Sequence, residues 1–360
     1  MNTTPLRVGF IGLNPDNHWA ATAHLPALNA LQDKFCIVGV ANSSFASAQK
    51  TANALNLPLA FTNPQQLVES SEIDVVVITV KVPHHFELVS AALMAGKHVY
   101  CEWPLGNGLE EAQVLAELAR EKGVVAVTGT QARAALEIQH VKKLIANGYI
   151  GDVLSTSIIG SGGNWSGTTI NEYYYLFERE NGANMQTIPL AHTLAAVEEV
   201  LGNISEVDAR FINHFDTVKI TDTHEIKPKM TPDQIMIHGQ MANGAALSVH
   251  YRGGVSRGTN LLWEINGTKG DIQITGTLGH AQMIQLTVKG AQGDEQELTS
   301  LMPNESEYQS YPEAAAARNI CRMYSMMYDD ITHGTRTAPS FDDAVKLHNL
   351  IDDIEQSAGY

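Results

Sequence analysis

The stretch VGFIGLNPDNHWA, residues 8–20, decides how the fold is read. An apolar run rich in β-branched and aromatic residues stops at Gly12, and helix-like periodicity begins a few residues later. Strand, sharp turn and helix in that order open a dinucleotide-binding sheet. The full phosphate-binding fingerprint is G-x-G-x-x-G. Counted from Gly12, Asn14 and Asn17 replace its second and third glycines. Glycine tolerates the backbone angles of a bend beneath a pyrophosphate. Asn is the next most tolerant of positive φ, so Asn14 can hold a similar bend, and its amide can donate to phosphate. Pro15 removes one backbone donor, and Asn17 stands where close helix packing favours glycine. The segment therefore predicts a wider turn, with backbone N–H groups near residues 17–20 facing the anion. Taken alone, it also fits a simple strand-to-helix connection.

Apolar runs without alternation recur at 36–41 (CIVGVA), 74–80 (DVVVITV), 97–101 (KHVYC) and 124–129 (VVAVTG). Such runs suit parallel strands covered on both faces. Helical patterns at 18–32, 44–55, 84–95 and 109–122 lie between them, which predicts a doubly wound α/β sheet. After residue 129 the texture changes. A helix ending at Gly148 and the strand DVLSTSIIG precede a glycine- and aromatic-rich loop, and a helix over 186–201 follows. From 204 onward strands dominate, with hairpin turns at Asn243–Gly244 and at 266–270. Residues 214–233 read as an exposed loop or long hairpin, and helices close the chain near 312–333 and 341–357. The fold class is α/β: a Rossmann domain over 1–128, then an α+β domain over 129–360 with a large mixed or antiparallel sheet.

The 360 residues are 44% hydrophobic and carry a formal net charge of -16. That charge argues against direct binding to a phosphate backbone, but not against a protein partner. No apolar run is long enough to span a bilayer, and the N-terminus lacks the signature of a secretory signal. The 3 cysteines, Cys36, Cys101 and Cys321, are widely spaced and suggest no disulfide framework, so a reducing, cytoplasmic setting is expected. No histidine or cysteine spacing predicts a metal site.

At 74–106 the sequence DVVVITVKVPHHFELVSAALMAGKHVYCEWPLG resembles the glucose–fructose oxidoreductase and inositol dehydrogenase family. Thr79, His85, AALMAGKHV and Glu102–Trp103–Pro104 fall in its register. The likeness resumes at KKLIANGYIGDV and INGTKGDIQI and covers nearly the whole chain. HLPAL, the tryptophan of EWP, GSGGNW and TPDQIMIHGQMANG are similar to the subgroup of the fungal galactose-regulon repressor and its enzyme-like relatives.

The resemblance implies NAD or NADP as cofactor. It points to Gly12, Asn14, Trp19, Asn42, Ser43, Thr79, Lys81, His85, Glu102, Trp103 and Pro104 as cofactor-binding residues. Asn42, followed by Ser43 and Ser44, replaces a carboxylate at the end of the second strand, and a neutral site tolerates a 2′-phosphate. Trp103 stands where the enzymes carry a lysine able to relay a proton. Of the enzymes' D-x-G-x-H-x-x-D pattern only His192 survives, with Ile188, Leu190 and Ala195 in the other places. His192, Lys81 and Tyr175 are the candidate proton-transfer groups. Arg133, Trp165, Tyr173 and Tyr174 are the candidate substrate-pocket residues, because sugar sites favour aromatic faces with polar rims. His192 and the polar aromatic loop favour a sugar or polyol oxidoreductase working by hydride transfer, whereas Trp103, Ile188 and Ala195 point the other way. The alternative is a catalytically silent, dinucleotide-binding co-regulator that engages a protein partner. By analogy the broad second sheet suggests a homo-oligomer, a dimer or larger.

Overall fold

The structure is a computed structural model describing residues 4–16 and 18–360. Asn17, and with it the third position of the fingerprint, lies outside the described residues. Strand β1 (Leu6–Ile11) leads into a π-helical turn at Ala20–His24, which runs on into helix α1 (Leu25–Asn29). There follow β2 (Phe35–Ala41), α2 (Phe45–Leu55), β3 (Leu59–Ala60), α3 (Pro64–Glu69), β4 (Val75–Ile78), α4 (His85–Met94), β5 (His98–Glu102), α5 (Leu109–Lys122) and β6 (Ala126–Gly129). The six strands are parallel, in the order β3-β2-β1-β4-β5-β6. The expected doubly wound sheet is therefore present. All four residues of β4 are buried, as both-face coverage requires.

Local sequence signals account for the boundaries. Ser44 starts α2 by accepting from the Ser47 amide at 3.2 Å, and Asn63 starts α3 by accepting from the Gln66 amide at 3.0 Å. Gly123, at φ +64°, ends α5. The short β3 and α3 went unread in the sequence, since two strand residues and six helical ones leave no period to detect.

The second part begins with α6 (Leu136–Ala146), β7 (Val153–Ser161) and β8 (Thr168–Thr169), and a π-helical turn at Gln186–Leu190 enters α7 (Ala191–Leu201). Next come β9 (Ile204–Ile212), β10 (Thr217–Ile220), β11 (Ile226–Pro228), β12 (Gln234–Met241), β13 (Ala246–Arg252), β14 (Leu261–Gly267), β15 (Gly270–Gly276), β16 (Thr287–Gln292) and β17 (Thr299–Ser300). Helices α8 (Glu305–Tyr308), α9 (Ala315–His333) and α10 (Phe341–Ala358) complete the chain. Eight strands form one mixed sheet in the order β17-β16-β15-β14-β7-β13-β12-β9, with β7 and β13 its parallel neighbours. Residues expected as a loop or hairpin at 214–233 supply β10 and β11, which join β8 in a separate three-stranded sheet. The core of the large sheet includes Trp263, whose indole donates to Thr156 Oγ1 at 2.7 Å.

Two compact units emerge: residues 4–131 with 309–348, and residues 132–308 with 349–360. The sequence assigned everything from 129 onward to the second domain. Residues 309–348 instead cluster with the Rossmann sheet. On α9, Tyr324 and Tyr328 pack their rings 5.5 and 5.7 Å from that of Phe35 on β2. The Thr128 amide, on β6, donates to the Pro339 carbonyl at 2.9 Å. The periodicity of α9 marks a buried stripe but not the partner that buries it.

Candidate functional site

In the first unit the chain bends at Gly12, between the ends of β1 and β4, where the strand order reverses. Ligands of open α/β sheets lie at such a switch point. Gly12 sits at φ +98°, and a Cβ there would come within 2.6 Å of Val80 Cγ1 and 3.3 Å of the Thr79 carbonyl. The bend therefore requires glycine. Thr79 Oγ1 donates to the Gly12 carbonyl at 3.0 Å and ties the two strand ends together. Asn14 Oδ1 accepts from the Asp16 amide at 3.0 Å in a local turn, but its φ is not positive, so it does not take the glycine-like bend expected of it. This cradle of close backbone approach at the switch point fits a dinucleotide pyrophosphate.

Asn42 is placed differently from its expected role. Its amide nitrogen donates to the Leu13 carbonyl at 2.8 Å and lies within 3.3 Å of the Ser47 and Thr51 hydroxyls. It thus pins the turn from beneath, while Ser43 is exposed. Trp19 is partly exposed, and its buried Nε1 has no acceptor among the described residues. Lys81 is exposed just after β4.

His85 is buried and bridges two crevice loops, with Nδ1 2.7 Å from the Pro104 carbonyl and Nε2 2.9 Å from that of Val80. Burial pushes its imidazole below the usual range. His85 therefore supports the crevice from behind. Glu102 receives a hydrogen bond from His24 and two from Gln131. Trp103 is buried, with its ring centroid 4.5 Å from that of His348. Burial pushes His348 down to about 4. His24, Gln131, Tyr324 and His348 were missed in the sequence. HLPAL was read only as part of the resemblance, and nothing in local spacing links it to residues some 300 positions away.

In the second unit His192 lies near the start of α7, 3% exposed, and no hydrogen-bond partner for Nδ1 is found among the described residues. Burial, with a smaller contribution from His280, pushes it down to about 3. Burial without an acidic neighbour therefore leaves His192, a candidate proton-transfer group, neutral near pH 7. Arg133 does not present a free guanidinium, because Nε and Nη2 hold Glu199 Oε2 at 3.0 and 2.8 Å. Trp165 is 1% exposed and donates to the Leu176 carbonyl at 2.8 Å, so it belongs to the core. Tyr174 donates to the Pro228 carbonyl at 3.0 Å, Tyr173 is exposed, and Tyr175 is half-buried with its phenol pushed up by burial. Among the described residues no group of three or more His, Cys, Asp or Glu side chains converges to hold a metal ion, and no helix is long and apolar enough to cross a membrane.

A glycine-turned parallel sheet followed by a wide mixed sheet is the architecture of two-domain nicotinamide-dependent proteins. Residues 6–130 match the oxidoreductase family with an NAD-binding Rossmann fold (GFO_IDH_MocA), and residues 137–276 match the Gal80p C-terminal domain. The galactose/lactose metabolism regulatory protein GAL80 of Saccharomyces cerevisiae is 31% identical over 80% of this chain and 70% of its own length. Dehydrogenase aclE of Aspergillus oryzae is 28% identical over 98% of this chain and 96% of its own. The crystal structure of a super-repressor mutant of Gal80p from S. cerevisiae superposes with a TM-score of 0.91 at 27% identity, covering 99% of this chain and 96% of that one. Levoglucosan dehydrogenase, solved with NADH and levoglucosan, shares the fold at a TM-score of 0.84 and 22% identity over 99% of this chain and 97% of that one. The chain belongs to the GFO/IDH/MocA oxidoreductase family, in its Gal80-like branch.

Proposed function

We propose that this chain binds NAD(H) at the β1–β4 switch point and uses it as a ligand, as a regulator that engages a protein partner. One observation carries this reading: Trp103, buried against His348, stands where the resembling enzymes carry a lysine. An indole can wall a pocket but cannot relay a proton. His192, in the second unit, is pushed down to about 3 and carries no charge near neutral pH. The likeness to GAL80 supports the same reading. At the end of β2, Asn42 and Ser43 place no carboxylate against a 2′-phosphate, and no adjacent arginine welcomes one, so this strand end does not select between NAD(H) and NADP(H).

A second reading, hydride transfer on a sugar or polyol, is favoured by the end-to-end match with dehydrogenase aclE and by His192 standing in register. There the nicotinamide would accept or donate the hydride, while His192, Lys81 or Tyr175 would move the proton.

The experiment pairs calorimetric titration of NAD+ and NADH with the absorbance of the reduced nicotinamide over a panel of sugars, polyols and their oxidised forms. Nucleotide binding without turnover, together with a nucleotide-dependent complex with a protein partner, is the expected result. Turnover that His192→Ala slows by about 10²–10⁴-fold, the usual weight of a general acid–base group, overturns the regulator in favour of the enzyme.

A further inference from the structure

Behind Glu102, in the first unit, runs a chain of buried hydrogen bonds that the nucleotide crevice does not account for. Gln131 Nε2 donates to both Glu102 carboxylate oxygens, at 2.7 and 2.8 Å. His24 Nε2 lies 3.0 Å from Glu102 Oε1, and His24 Nδ1 lies 2.7 Å from the Tyr324 hydroxyl. His24, Gln131 and Tyr324 are fully buried, whereas the Glu102 side chain keeps 13% of its surface. The partners assign the protons. A carboxylate oxygen accepts, so His24 Nε2 is the donor. In the neutral imidazole the other ring nitrogen then accepts, and Tyr324 O–H donates to it. The ring plane is fixed as well, with Phe10 and Tyr100 edge-to-face on His24 at centroid distances of 5.9 and 5.3 Å. Gly129 of β6 leaves the carboxylate its place, because a Cβ there would lie 2.8 Å from Glu102 Oε1 and 2.9 Å from Gln131 Nε2.

We infer that His24 is a positioning residue for the nucleotide site: held in one tautomer by Tyr324, and working with Gln131, it fixes the Glu102 carboxylate at the end of β5 and thereby sets nucleotide affinity. A tie between α9 and β5 made for stability alone would not need a partly exposed carboxylate at its end. Two donor nitrogens making three contacts hold the carboxylate in a single orientation, and charge-assisted bonds of this kind are both short and directional. The inference rests on the nucleotide-binding reading above.

The test uses the full chain, with calorimetric titration of NAD+ and NADH beside thermal unfolding of the ligand-free protein. His24→Leu removes the donor to Glu102. His24→Gln keeps an amide N–H about where Nε2 stood, and Tyr324→Phe frees the tautomer. His24→Leu is expected to weaken nucleotide binding about tenfold or more, the weight of one hydrogen bond to a charged group. His24→Gln should recover most of that loss although both His24 variants melt earlier, and Tyr324→Phe should fall between them. Should His24→Leu fail to fold, Gln131→Leu removes the opposite donors and carries the same expectation. Equal losses in His24→Gln and His24→Leu that follow melting temperature, or unchanged affinity in all variants, would reduce the network to a structural tie and overturn the inference. Those outcomes leave the nucleotide reading standing. An unsubstituted chain that binds neither NAD+ nor NADH overturns that reading and this inference together.

Discussion

A methyl group at Gly12 would meet Val80 Cγ1 at 2.6 Å from a backbone held at φ +98°. Gly12→Ala should therefore cost stability as well as nucleotide binding, by about 1–3 kcal/mol for a non-glycine residue in that conformation. Chemical denaturation read beside calorimetry separates the two losses, and an unchanged unfolding midpoint would show that the bend relaxes. Asn42 repeats the lesson. The sequence marks it as a neutral substitute for a ribose-binding carboxylate, but its amide supports the Leu13 carbonyl, a partner 29 residues away that no local pattern names. Histidines 192 and 348 offer a third measurement. Burial lowers them to about 3 and about 4, so below pH about 6.5 the unfolded chain binds protons that the folded chain refuses. Stability is then full above pH about 6.5 and drains as pH falls toward 4 and then 3, by at most roughly 1.4 kcal/mol per pH unit for each histidine. Melting temperature should fall between about pH 6 and 4, and less steeply in His192→Phe. An identical slope in that variant would mean that His192 is not the buried, neutral group described.

Tyr251 joins β13 to α7. Its hydroxyl lies 2.6 Å from Thr193 Oγ1 and donates to the Gly279 carbonyl at 3.0 Å, while its ring fills the space over Gly160 of β7. Tyr251→Phe keeps the ring and loses both bonds, so a loss of about 1–2 kcal/mol is expected in denaturant unfolding. A loss below about 0.3 kcal/mol would assign the joint to packing alone. The long strands and both hairpin turns of this sheet were legible because alternation and Asn-Gly turns are local signals. The three-stranded sheet was not, since β8 has two residues and pairs with residues of β10 that lie 51 positions later, as Thr168 with Lys219.

The Rossmann unit is discontinuous: residues 309–348 return to it from beyond the second unit, and α10 changes allegiance after His348. A chain ended at Tyr308 should therefore lose the cooperative unfolding of its first unit, because Tyr324, Tyr328 and the Pro339 pairing with β6 are all removed. Hydrogen exchange at β1 and β6 measures this, and full protection in the shortened chain would contradict it. Strand–helix alternation and the glycine bend could be read from the sequence because they depend on neighbours. Membership of the last two helices could not, because an amphipathic stripe fits any apolar face.

That discontinuity also sets a timetable during synthesis. A ribosome must add some 220 residues after β6 before α9 and the start of α10 are available, a delay of about 10–40 s at roughly 5–20 residues per second. For that interval the nascent first sheet lacks the helix that covers Phe35 and His24. Apolar surface left uncovered for that long is prone to aggregation. The second unit, by contrast, lacks only its last 12 residues when Tyr308 emerges, so the half of the protein made later is the half able to fold first.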